Sequence, residues 1–413
     1  MTMREEAELI MAHAISDVQP DQAVKRALKE LELPAGRVLA VAVGKAAWQM
    51  ARSAAQVLGD RLSQGIVITK YGHSCGAIDG FQIFEAGHPV PDDNSFLATS
   101  RAVEMIRDLT PEDLVIMLIS GGGSALLELP LCSREQLRDV TSQLLACGAD
   151  IREMNMIRKR LSGVKGGRFA ALCEPAGVYG IVLSDILGDP LDMIASGPVS
   201  PDSSTCEMCR ETIEKYHLDF PEEVMELLGE ETPKECANVR AKVTGSVRQL
   251  CSSAAKTCLE LGYDPVILTS SMDCVAREAG SFLAAVAREH QHSERSLAFL
   301  AGGETVVRLS GSGLGGRNQE LALSAAAGIA GLENTAVFSF GSDGTDGPTD
   351  AAGGYVDGGT ASALADQGIR IPQVLEKNDS YHALRCCGGL LVTGPTGTNV
   401  NDLSCVLIKR KIP

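Results

Sequence analysis

Seven short apolar runs recur down the chain: RVLAVAV (37–43), GIVIT (65–69), LVIMLIS (114–120), GVYGIVLS (177–184), DPVILTS (264–270), SLAFLAGG (296–303) and TAVFSF (335–340). Between them lie longer stretches with apolar residues at three- and four-residue spacing, such as KAAWQMARSAAQVL, REQLRDVTSQLLACG and VAREAGSFLAAVAREH. Strand-like runs alternating with helical patterns predict an α/β protein with largely parallel sheets. In open parallel sheets, ligands collect at the carboxyl ends of strands, so the residues just after each run are where chemistry is expected.

A chain of 413 residues with 45% hydrophobic and 22% charged residues can bury large cores and suggests two or three domains. The stretch DFPEEVMELLGEETPKECANV (219–239) is charged and carries two prolines. It predicts a boundary between a domain spanning 1–235 and one spanning 240–413. With 37 basic against 53 acidic side chains, the net charge of −16 argues against nucleic-acid or anionic-membrane partners held by a diffuse field. An anionic ligand must then be caught by local cations and backbone N–H groups. The N-terminal MTMREEAELIMAHAISD reads as an acidic amphipathic helix rather than a secretion signal, and no run reaches the roughly 20 apolar residues of a spanning helix. Thirteen scattered cysteines, Cys206, Cys209 and the adjacent Cys386 and Cys387 among them, read as free thiols of a reducing cytoplasm.

The strand ends are rich in glycine and charge. ISGGGSALL (119–127) ends a buried strand with Gly121, Gly122, Gly123 and Ser124, whose backbone can approach a phosphate closely. Lys45 follows the first strand beside a glycine, as a point cation would. SGSGLGGRNQE (310–320) writes G-x-G-x-x-G at Gly311, Gly313 and Gly316, with Gly315 beside the last, leading into Arg317 and Asn318. A dinucleotide fold wants an acid about 20 positions on, at the end of the next strand. The first acid after TAVFSF is Asp343, too late and inside another glycine-rich loop. Anion binding is the better reading, with Arg317 suited to clamp a carboxylate or phosphoryl group. NMIRKRLSGVKGGRFAA adds Arg158, Lys159, Arg160, Lys165 and Arg168, the densest basic cluster, part of which reads as solvated surface.

Two acidic loops complete the set, with Asp185, Asp189 and Asp192 in one and Asp343, Asp346 and Asp350 in the other. Separated carboxylates on glycine-rich loops suit Mg²⁺ on a nucleotide, or a general base for a hydroxyl; several are equally expected to cap helices. Glycine cradles, two cations and aspartates together describe phosphoryl transfer.

GKAA (44–47), GHPVPD (87–92), SGGGSALL (120–127), LSGVKGGRFA (161–170), SDILGDPLDMIASGP (184–198), GGETVV (302–307), GGRNQELAL (315–323), GSDGTDGPTDAAGG (341–354) and TGPTGTNVNDL (393–403) run in the order of a known family. The chain resembles the glycerate 2-kinases of the MOFRL type. The resemblance implies two Rossmann-like α/β domains with the active site in a cleft between them. It implies ATP- and Mg²⁺-dependent phosphorylation of D-glycerate at its 2-hydroxyl, a small-molecule substrate, and leaves room for a homodimer. The family's lysine and arginine fall on Lys45 and Arg317, which are then expected to face a shared gap. Catalysis is expected from Lys45, Arg317 and Asp185, nucleotide binding from Gly121, Gly122, Gly123, Ser124, Lys165, Gly313, Gly315 and Gly316. Substrate contacts are expected from Arg317, Asn318 and Lys45, and metal contacts from Asp189, Asp343 and Asp346. The chain departs from the family's usual pattern at Ala42, Arg160 and Val306. Two rivals stand beside this reading: an NAD(P)H-dependent hydroxypyruvate reductase, for which His73, His88 and His382 are the available proton donors, and a non-catalytic glycerate or nucleotide sensor.

Overall fold

The run Val38–Val43 is buried along its whole length because its alternating side chains enter two different cores. Leu39, Val41 and Val43 pack with Val115, Met117, Ile119 and Phe169, while Val38, Ala40 and Ala42 pack with Trp48, Met50, Ile116 and Leu118. A strand covered on both faces must be apolar without alternation. The structure, a computed structural model, describes residues 1–410. Its chain divides into two compact units, one of Pro20–Thr244 and one of Met1–Gln19 with the chain from Gly245 onward.

The first unit holds β1 (Val38–Val43), β2 (Leu62–Lys70), β3 (Phe81–Ala86), β4 (Leu114–Ile119), β5 (Gly177–Leu183) and β6 (Val239–Gly245). Their order is β3-β2-β1-β4-β5-β6, parallel from β3 through β5. This is the doubly wound order of a dinucleotide-binding fold, which reverses direction between β1 and β4. β6 belongs to this sheet, so the unit runs to Thr244, past the boundary expected between 235 and 240.

The second sheet comprises β7 (Asp264–Met272), β8 (Leu297–Gly303), β9 (Thr335–Gly341), β10 (Gly353–Asp357), β11 (Leu390–Leu391) and β12 (Asp402–Ile408). The order is β11-β10-β9-β12-β8-β7. β7, β8, β9 and β11 point one way, β10 and β12 the other. Parallel direction thus holds for most strands, yet neighbours are mainly antiparallel because β12 inserts between β8 and β9. Helices Ala276–Glu289 and Arg317–Gly328 cover one face, packing Leu283 and Leu321 on Phe299, Val337 and Val406.

The helix Met3–Asp17 joins this second unit, with a capping box of Thr2 and Glu5 at its start. Its Glu6, 3% exposed, accepts a 2.6 Å hydrogen bond from Tyr263 Oη and pairs with Lys409. All thirteen cysteines are free thiols, and burial pushes that of Cys209 up to about 11. Among the described residues no helix is long and apolar enough to cross a membrane. Replacing Tyr263→Phe should strip a donor from a buried carboxylate and cost about 1–3 kcal/mol. Urea denaturation followed by a probe in the second unit should show the shift; an unchanged midpoint would mean that the bond does not anchor the N-terminal helix.

Candidate active site

β1 and β4 end level, with Val43 opposite Ile119. Beyond them the chains touch: Lys45 N–H donates to Gly121 O at 2.9 Å, and Ser120 Oγ donates to Val43 O at 3.2 Å while accepting Ala46 N–H at 3.1 Å. Gly44, at φ +118°, passes Ser120 so closely that a Cβ would lie 2.4 Å from its carbonyl oxygen. This contact fixes where Lys45 leaves the sheet, and its side chain is exposed.

The glycine loop after β4 is packed on three sides. A Cβ on Gly121 would stand 2.3 Å from Asp185 Oδ2, which follows β5; one on Gly122, at φ +90°, would stand 3.0 Å from His88 Cδ2 and 3.4 Å from Lys45 Cγ. Lys45, His88 and Asp185 therefore surround Gly121 and Gly122 at the carboxyl ends of the strands. Gly123 N–H is taken by Ser120 O, and the helix that follows is only Gly123–Leu126, so the donors of this cradle are the Gly121 and Gly122 amides rather than a long helix dipole. Ser124 Oγ lies 3.0 Å from Ser196 Oγ, which donates to Asn155 Oδ1 at 3.2 Å. Burial, then the charges of Lys45, Lys70 and His73, hold the His88 imidazole below its usual range, so it is neutral at pH 7. Asp189 sits at φ +56° with a buried Oδ1 that has no hydrogen-bond partner among the described residues.

The basic cluster is internal. Lys165 has no exposed surface; its Nζ donates to Leu127 O at 2.7 Å and to Glu128 Oε2 at 2.8 Å, and burial pulls its pKa down against Glu128. Its expected role at a nucleotide is corrected: it closes a buried ion pair. Lys159 pairs with Asp202 at 3.0 Å, and Arg160, wholly buried, donates to Ser204, Met156 O and Glu231.

The G-x-G-x-x-G loop of the second unit is also corrected. Gly311 and Gly313 would place a Cβ 2.3 and 2.6 Å from Lys377 O, and Gly315 would place one 2.2 Å from Ser380 Oγ. Ser310 and Gly311 N–H donate to Asn378 Oδ1 at 2.7 and 2.9 Å, Leu314 N–H to Asp379 Oδ1 at 2.9 Å, and Gly313 N–H to Lys377 O at 2.9 Å. These glycines let two protein segments cross, and the Gly311 and Gly313 amides are spent on the turn 377–380. Gly316 abuts Asp346, a further protein contact.

Asp346, 2% exposed, accepts from Asn318 N at 3.1 Å, Asn318 Nδ2 at 3.3 Å, Gln319 N at 2.9 Å and Gln319 Nε2 at 3.0 Å. Burial pushes its pKa up against those donors. Asp346 therefore secures the start of the helix Arg317–Gly328 instead of facing a metal. Asn318, expected at the substrate, is 1% exposed and its side chain is bonded to Asp346 and Ser339. Arg317 projects from this start into a carboxylate clamp: Nε and Nη2 bond Asp402 at 2.6 and 3.1 Å, and Nη1 bonds Glu304 at 2.7 Å. Burial opposes its charge, but the Asp402 bond and the charges of Asp402 and Glu304 hold its pKa above the usual value. Burial likewise pushes Asp402 up to about 6, outweighing the pull of Arg317. Asp343 is half-buried, with Oδ1 accepting Thr345 N–H at 3.0 Å. Sequence reasoning passed over Glu304 and Asp402, although GGETVV and TNVNDL contain them.

Residues 6–229 match a family model described as a domain of unknown function, and residues 297–402 match the MOFRL family. The D-glycerate 2-kinase of Thermotoga maritima is 52% identical over 97% of both chains. A crystal structure of a glycerate kinase from that organism superposes with a TM-score of 0.94 at 51% identity, covering 98% of this chain and 99% of that one. The chain belongs to the MOFRL-type glycerate 2-kinases. A relative from Agrobacterium vitis with the name putative hydroxypyruvate reductase is 39% identical over 90% of this chain and all of its own. At the positions that depart from the family's usual pattern, Ala42 is buried in β1, Arg160 is buried in its ion pairs, and Val306 is 52% exposed.

Two outcomes test this geometry. Lys45→Met should raise the His88 pKa, read from imidazole NMR titration, since one of the charges depressing it is gone; an unmoved value would separate the two side chains. Glu128→Leu alone should cost about 3–5 kcal/mol by stranding Lys165, whereas Glu128→Leu with Lys165→Met should recover most of it. Nucleotide binding lost only in the stable double variant would return Lys165 to the site.

Proposed function

We propose that the chain transfers the γ-phosphoryl group of ATP to the 2-hydroxyl of D-glycerate, giving 2-phosphoglycerate and ADP. The observation that carries this reading is the grouping of Lys45, Asp185 and the Gly121 and Gly122 amides at the carboxyl ends of β1, β4 and β5. The amides and the Lys45 ammonium take phosphate oxygens. Asp185 accepts the proton of the 2-hydroxyl as its oxygen bonds to phosphorus and the bond to the ADP oxygen breaks. Arg317 spends three of its five N–H donors on Asp402 and Glu304, which leaves two to bond an anionic oxygen at the start of its helix.

Mg²⁺ fits this donor set. Asp189, on the same loop as Asp185, offers a buried oxygen without a hydrogen-bond partner among the described residues, and Mg²⁺ takes one or two carboxylates with water and phosphate oxygens. When bound it neutralises charge on the phosphates. The free thiols support a cytoplasmic setting.

Incubation with D-glycerate, ATP and Mg²⁺ should release ADP and a product that enolase converts to phosphoenolpyruvate. Lys45→Ala and Arg317→Ala should each lower kcat/KM by about 100-fold or more. NADH oxidation with hydroxypyruvate and no ADP would replace the kinase by the reductase, and ADP with a product that enolase refuses would overturn the regiochemistry.

A further inference from the structure

A cavity of about 680 Å³ opens in the first unit beside the loop that follows β5. Met156, Met193, Met208, Ile186, Leu187 and Pro190 line it, and the phosphoryl-transfer reading gives it no task. We infer that this cavity receives the base and ribose of the nucleoside triphosphate donor, a placement that rests on the kinase reading and adds to it.

Three observations carry the inference. First, one loop walls both places: Asp185 lies against Gly121 of the phosphate cradle, and Ile186, Leu187 and Pro190 of the same loop line the cavity. A second link runs from Ser124 through Ser196 to Asn155, on the helix Ile151–Arg160 that contributes Met156 to the cavity. A donor whose phosphates sit at Gly121 and Gly122 thus has a half-open hollow along the same loop. Second, the lining suits a flat heteroaromatic ring. Three thioethers converge there, and methionine sulfur packs favourably on aromatic rings while adapting to their outline.

Third, carboxylates outnumber cations in the lining, with Glu153, Asp192 and Glu211 against Lys159 and Arg152. Lys159, the buried cation of the lining, is neutralised by Asp202 at 3.0 Å and Asp192 at 3.6 Å. Ser203 donates to Asp192 Oδ2 at 3.0 Å, and Glu153 and Glu211 add further acceptors to the lining. Carboxylate and hydroxyl groups of this kind take the hydroxyls of a ribose or the amino group of a base. The triphosphate would find its cations at Lys45 instead.

The test uses the full chain with its twelve methionines labelled in the ε-methyl carbon, the signals of Met156, Met193 and Met208 assigned through Met→Leu variants. Addition of ADP with Mg²⁺ should move those three signals, and inorganic tripolyphosphate should leave them in place. Leu187→Trp, which fills the cavity, should weaken ADP binding about ten-fold by calorimetry and tripolyphosphate binding by less than about two-fold. ADP binding to the wild-type chain with all three methyl signals unmoved would overturn the cavity assignment while leaving the kinase reading intact. Failure of the wild-type chain to bind ADP at all would overturn both.

Discussion

Where β1 and β4 part, the chain after β1 turns to the face that buries Ala47, Trp48 and Met50, and the chain after β4 turns to the face that buries Leu126 and Leu127. The divergence opens a crevice at the strand ends, as the reversed winding order requires. Its width is set by contact between backbones: Gly44 slides past Ser120, and Lys45 N–H is tied to Gly121 O. Because the Lys45 backbone and the glycine loop are joined by a main-chain bond, the root of the Lys45 side chain and the loop amides keep a fixed spacing. Preorganised donors of this kind need no rearrangement when charge develops in the transition state.

The same molecule holds cations that look equivalent in one dimension and are not. Lys165, Lys159 and Arg160 end in carboxylates 37, 43 and 71 residues away, where they close internal seams. Removing one partner of such a pair is costly, because the other is left charged and dry. Lys45 is exposed and makes no such pair among the described residues, and Arg317 keeps about a third of its side chain open beyond its clamp. Exposure and unspent donors, more than positive charge, separate the two candidates for substrate from the rest.

Much of this was legible before the structure. All seven apolar runs are strands, and their ends do carry Lys45, the Gly121–Gly123 loop and Asp185. The apolar runs missed β3, β6, β10, β11 and β12: β6 carries Arg240 and Lys242, β11 is two residues long, and the insertion of β12 between β8 and β9 is a tertiary choice. The G-x-G-x-x-G motif misled for a different reason. A glycine required by a crossing backbone reads the same as one required by a phosphate, and only the approach of residues 377–380 distinguishes them. Asp346 is a similar case, since a helix-securing aspartate and a metal ligand share one letter. Glu304 and Asp402 were hidden by pairings with Arg317 that span 13 and 85 residues.

The account stands or falls on which glycine loop holds phosphate. A crystal structure with a non-hydrolysable ATP analogue and Mg²⁺ decides this directly. Density for the triphosphate over Gly121 and Gly122, within reach of Lys45 Nζ, is the predicted result. Triphosphate or pyrophosphate density on the amides of Gly311–Gly316, with the turn 377–380 displaced, would contradict it.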